Sequence, residues 1–127
     1  MGGALPIRDG AWYPVTVLDG VKPGMPAFEE ELFGPAAAVI SVEDEAAGIA
    51  LANQSRYGLG GAVFTQDVTR GEEIARRELQ VGAACVNDFV RSDPRLPFGG
   101  VRDSGYGREL GSYGIREFTN VKVVSVA

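Results

Sequence analysis

From Ala36 to Ile40 the chain reads AAAVI, a short unbroken apolar run that fits a buried strand. Ser41 and Asp44 follow in the spacing of a capping box, with Asp in place of Glu or Gln, and predict a helix running to about Ser55. Ala46, Ile49, Ala50 and Asn53 share one face of that helix. Glu43, Asp44 and Glu45 crowd its first turn, where the helix dipole favours anions. YGLGG breaks the pattern, and Gly61 to Thr65 (GAVFT) reads as a second strand. Asp67 is placed to cap a helix over Val68 to Leu79, with Gly71, Ile74 and Ala75 on its inner face and Gly82 as its stop. Ala83 to Val86 reads as a third strand.

Outside this regular stretch the periodicity weakens. The first thirty-one residues are rich in Gly and Pro and hold one short strand, Val15 to Leu18. Asn87 to Ser104 reads as a loop, Tyr113 to Phe118 as a short helix, and Asn120 to Val126 as a final strand with β-branched residues at alternate positions. The order β-α-β-α-β with short connections predicts an α/β fold with parallel strands and right-handed crossovers.

Composition narrows the function more than the fold. The chain has 127 residues, room for one ordinary domain, and is 45% hydrophobic and 23% charged, which argues for a packed globular protein over a disordered one. A net charge of −5 with no Lys/Arg cluster sets nucleic acid aside as a partner. With no His and one Cys there is no zinc-type ligand set, no Ser-His or Cys-His pair and no internal disulfide. The absence of a secretory signal or a bilayer-length apolar run, with this cysteine usage, makes the expected location cytoplasmic and off the membrane.

The glycines do not form a dinucleotide fingerprint. Gly58-Leu59-Gly60 precedes a strand instead of following one, and Gly105-Tyr106-Gly107 lacks the third glycine at the required spacing.

Three stretches, taken in order, do resemble one family. Glu31-Leu32-Phe33-Gly34-Pro35 is similar to the E-x-F-G-P of the aldehyde dehydrogenase superfamily. Tyr57-Gly58-Leu59 leading into Ala62-Val63-Phe64-Thr65 is similar to a second family segment. Pro97-Phe98-Gly99-Gly100 followed by Ser104-Gly105-Tyr106-Gly107-Arg108-Glu109 is similar to a third. The loop from Ser92 to Gly100 most resembles bacterial succinate-semialdehyde dehydrogenases.

The resemblance covers nearly the whole chain but only the C-terminal part of the family's much longer members. It implies a parallel β-α-β-α-β core from the end of the catalytic domain (residues 1–119) and an oligomerisation strand (residues 120–127). It implies descent from an enzyme that oxidises an aldehyde, with succinate semialdehyde the expected substrate, to the carboxylic acid with NAD or NADP. The nucleophilic cysteine, the general base and the oxyanion asparagine lie upstream in the family, so no residue here is assigned a catalytic role. The chain by itself is expected to bind no cofactor and to be inactive.

Within that resemblance Glu31 corresponds to the glutamate that holds the nicotinamide ribose, and a carboxylate can accept from two neighbouring hydroxyls at once. Glu31 also reads as one of three surface glutamates. Phe33 corresponds to a residue near the nicotinamide and reads equally as a core aromatic. Ser92 matches a serine that helps bind a substrate carboxylate, with Arg91 and Arg95 beside it to supply charge, and reads equally as a solvated loop residue. Phe98 is expected to border the substrate pocket, to anchor its turn, or both. Arg108 and Glu109 are expected to brace a glycine-rich turn.

Cys85, the single thiol, lies in AACV and does not match the nucleophile's motif, so it is expected to be a buried structural residue. The expected partners are a small-molecule aldehyde in the parent enzyme and either further copies of the chain or the missing N-terminal portion. The alternative to a partial enzyme is a free-standing assembly module that pairs through its tail strand. A small unrelated flavodoxin-like binder fits the element order but not the motifs.

Overall fold

The computed structural model describes residues 2–4, 7 and 9–127. It divides into two compact units, Met1–Leu51 and Ala52–Ala127.

In the first unit, strand β1 (Thr16–Leu18) pairs in parallel with β2 (Ala36–Ala38), with Thr16 opposite Ala36 and Leu18 opposite Ala38. Thr16 N–H to Pro35 O (2.9 Å) and Val39 N–H to Leu18 O (2.8 Å) extend the ladder. Val21, 5% exposed, follows with its N–H on Val39 O at 3.3 Å. Between the strands, Pro26–Glu29 forms the single-turn helix α1, with proline in the first turn where no amide donor is needed.

Helix α2 spans Glu45–Ala52. Its cap is Asp44, whose Oδ1 accepts from Ala47 N–H at 2.8 Å, so the expected box beginning at Ser41 gives way to a direct carboxylate cap three residues later. Of the expected inner face, Ile49 and Asn53 are half-buried, whereas Ala46 and Ala50 face solvent.

In the second unit, β3 (Gly60–Val63) and β4 (Ala83–Val86) pair in parallel, with Gly60 opposite Ala83 and Val63 opposite Val86. The crossover is helix α3 (Val68–Glu73), capped as expected by Asp67, whose Oδ1 accepts from Arg70 N–H at 3.0 Å. Gly71 brings the helix close to the strands, since a β-carbon there would lie 2.8 Å from Thr65 Cγ2 and 2.9 Å from Val86 Cγ1. Ile74, 5% exposed, fills the interface.

From Ile74 to Glu78 the helix widens to π geometry and ends at Leu79, whose N–H reaches Ile74 O. Gly82 is therefore not the helix stop. It sits against the Gly99–Gly100 backbone, so close that a β-carbon would fall 1.7 Å from Gly99 O. Beyond the strands, Asn87 stands in the left-handed region (φ 54°), and its amide side chain exchanges two 2.9 Å bonds with the Thr65 backbone. The pairing of β3 with β4 thus continues through a side chain.

The α/β class and the parallel pairing agree with expectation, but the strands form two separate two-stranded sheets, β1–β2 and β3–β4. Helix α4 (Gly111–Glu117) lies close to its expected place. The tail from Asn120 to Val126 is not in a ladder among the described residues, and Val121, Val123, Val124 and Val126 are 73–90% exposed. A strand exists only with a partner for its backbone, and the single chain supplies none here.

Candidate functional site

The four sequence-predicted site residues fall into two groups, one in each unit. Glu31 and Phe33 lie on the extended segment between α1 and β2, both solvent-facing, with Phe33 92% exposed. The neighbouring Glu29 is engaged locally, accepting from Gly24 N–H at 2.8 Å. No hydrogen bond or ion pair engages the Glu31 carboxylate among the described residues. An exposed, uncommitted carboxylate two residues from an exposed aromatic has the chemistry to accept from a diol beside a flat ring.

In the second unit Ser92 is exposed on the loop after β4. The arginines expected to lend it charge are already paired. Arg91 meets Asp88 at 3.0 Å, and Arg95 closes a two-point fork on Asp93 at 2.9 and 2.6 Å. The fork holds the Asp93 carboxyl below its ordinary value. The Arg95 side-chain bond contributes most, then the bond from the Arg95 backbone, with the Arg91 charge adding to it. The same fork raises the Arg95 guanidinium.

Phe98 is half-buried. Its backbone forms an isolated antiparallel bridge with Glu109, two bonds of 2.8 Å each. It lines an open cleft of about 390 Å³ with Leu59, Tyr106, Arg108, Glu117 and Phe118, and Ser92 is not on that lining. Arg108 spends one guanidinium nitrogen on Gly100 O (2.8 Å) and Gly107 O (2.6 Å), which is the bracing role expected of it.

Cys85 lies mid-strand opposite Ala62 and is partly exposed instead of buried, because a two-stranded sheet leaves part of its surface uncovered. No group of three or more His, Cys, Asp and Glu side chains among the described residues is arranged to hold a metal. No helix among them is long and apolar enough to cross a membrane.

Sequence reasoning missed Arg102, and placed Asn53 on a helix face without its bonds; both join distant segments of the second unit. Neither sits in a spacing that signals a long-range bond.

Residues 1–124 match the aldehyde dehydrogenase family, and the chain belongs to that family. It is 52% identical to a succinate-semialdehyde dehydrogenase (NADP+) of Deinococcus radiodurans, over 97% of this chain and 26% of that protein. It is 44% identical to a succinate semialdehyde dehydrogenase (NAD(P)+) of Escherichia coli K12, over 98% of this chain and 27% of that protein. The crystal structure of an aldehyde dehydrogenase of Mycobacterium tuberculosis complexed with NAD+ superposes with a TM-score of 0.88. It is 39% identical, over 94% of this chain and 25% of that one. The chain thus spans about a quarter of the length of the relatives it matches.

Proposed function

We propose that this chain is the C-terminal portion of an NAD(P)-dependent aldehyde dehydrogenase acting on succinate semialdehyde, inactive until it meets the rest of that fold. The observation that carries this reading is the match itself: nearly all of the chain aligns, at 40–52% identity, with proteins named for succinate semialdehyde, and it covers only about a quarter of them.

In the assembled site Glu31 accepts from the nicotinamide ribose hydroxyls and Phe33 stands beside the nicotinamide. The exposed state of both leaves them open to that contact. Bound NAD or NADP supplies a hydride acceptor. Phe98 borders the aldehyde, and Ser92 donates its hydroxyl to the substrate's distal carboxylate. Arg91 and Arg95 leave that task to groups outside this chain, since their charge is held by Asp88 and Asp93. The thiolate that attacks the aldehyde and the base that activates water are assigned to the rest of that fold, since Cys85, in strand β4, does not match the nucleophile's motif. The tail, residues 120–127, serves as the oligomerisation strand.

The test mixes this chain with the upstream three-quarters of the Deinococcus radiodurans relative and follows reduced-nicotinamide formation from succinate semialdehyde. No turnover by the chain alone and turnover by the mixture is the expected result. Turnover by the chain alone, or a stable but silent complex, sinks the proposal.

A further inference from the structure

Apart from Gly111 N–H to Pro94 O (3.1 Å) and Gly114 N–H to Leu110 O (2.9 Å) at its far end, the hydrogen bonds tying the glycine-rich stretch 98–111 to the body of its unit fall on residues 101–104. Arg102–Ser104 form a single 3-10 turn, entered with Arg102 in the left-handed region at φ 57°. A residue with a β-carbon rarely holds that backbone without help. Here the help comes from the Arg102 side chain, which donates to Asn53 O at 2.9 Å, to Ser55 O at 2.6 Å and to Oε1 of Gln80.

The acceptors belong to a junction that is itself locked. Asn53 Nδ2 donates to Glu78 O at 2.8 Å, and its Oδ1 accepts from Gln80 N–H at 2.9 Å. The rest of the turn docks on the same strip of chain. Asp103 N–H donates to Arg56 O (3.1 Å) and Val101 N–H to Gly58 O (3.1 Å), while Ser104 Oγ accepts from Gly58 N–H (3.0 Å). The Arg56 guanidinium pairs with the Asp103 carboxylate. Arg108 differs in kind, since both of its bonds end within the glycine-rich stretch and hold only that stretch's own shape.

We propose that Arg102 is a positioning residue. It clips the 101–104 turn to residues 53–58 and to Gln80, so that the stretch from Phe98 to Leu110 seats and opens as one unit, and the Phe98 wall of the cleft is held only while the clip is closed. The planar guanidinium suits this because it offers fixed donors in several directions at once. A lysine ammonium, a point donor on a flexible stem, reaches fewer of the acceptors.

Amide hydrogen exchange on the full chain, read residue by residue, tests this with Arg102→Met and Arg102→Lys. The reporters are the bonded amides of Phe98, Val101, Asp103 and Glu109. The controls are Ala83, bonded to Leu59 O, and Asn87, bonded to Val63 O. Arg102→Met is expected to speed the reporters about ten-fold and the controls less than about two-fold, the signature of local opening, with Arg102→Lys between the two. Where Arg102→Met loses protection throughout, Arg102→Lys decides: selective loss at the reporters supports the clip, and uniform loss overturns it. Unchanged reporters in Arg102→Met, or reporters already unprotected in the native chain, overturn it as well.

Discussion

At Asp93 a carboxylate and a guanidinium two residues apart meet through both pairs of atoms, and the Asp93 side chain accepts from the Arg95 backbone amide as well. All of these bonds favour the ionised acid, so its folded value lies below the ordinary 3.8. The sign of the linkage follows. The fork's contribution to stability is fully present above the ordinary value and is lost as pH falls through the lowered one. Arg95→Gln removes the largest cause of the shift. NMR titration of the Asp93 carboxyl is expected to show its midpoint rise toward 3.8 in that variant, and an unmoved midpoint contradicts the fork. The consequence for Ser92 is local: the two arginines that flank it in sequence are already paired with Asp88 and Asp93.

Among the elements, Gly82 and Gly61 make a matched pair of tests. Both are glycines in or beside the β3–β4 sheet, yet a β-carbon at Gly82 would run into the Gly99 backbone at 1.7 Å, while one at Gly61 would meet only Leu79 and Val81 side chains at 3.4–3.6 Å. Backbone on both sides cannot yield as a side-chain tip does. Gly82→Ala is therefore expected to lose stability by about 1–3 kcal/mol or more. Gly61→Ala should hold stability or raise it by up to about 1 kcal/mol through a stiffer unfolded chain. Urea unfolding compares the two, and equal costs would mean that Gly82 and Gly99 do not touch.

These glycines also mark the boundary of what the sequence makes legible. The strands near 16, 36, 61 and 83, the Asp67 cap and helix α4 stand close to where local pattern puts them, because apolar runs, carboxylate caps and chain breakers act within a few residues. Gly82 reads locally as a helix stop, and only the fold brings Gly99 against it, seventeen positions away. The same holds for Arg102, whose acceptors at Asn53 and Ser55 leave no local trace. The candidate residues Glu31, Phe33 and Phe98 were nameable from the resemblance of Glu31-x-Phe33-Gly34-Pro35 and Pro97-Phe98-Gly99-Gly100 to family motifs, and Ser92 from that of the loop it opens. The pairing of Arg91 and Arg95 with aspartates emerges only from the geometry.

For the whole molecule the decisive quantity is surface. Among the described residues Val21 and Ile74 are the buried apolar side chains, while Phe33, Phe118 and Tyr106 are more than 90% exposed and the tail valines 73–90%. Apolar area on this scale does not stay wet when another surface is available, and the tail adds a row of unpaired backbone groups that can accept a strand. The chain is therefore expected to associate, with a light-scattering mass above 13.4 kDa that climbs with concentration. Val123→Pro, which removes one donor from the tail without uncovering anything else, should lower that mass at equal concentration if strand pairing is part of the association. A mass of 13.4 kDa at every concentration would mean that the exposed aromatics and the tail find cover within the chain itself, and the reading of this surface as the inner side of a larger assembly would fall with it.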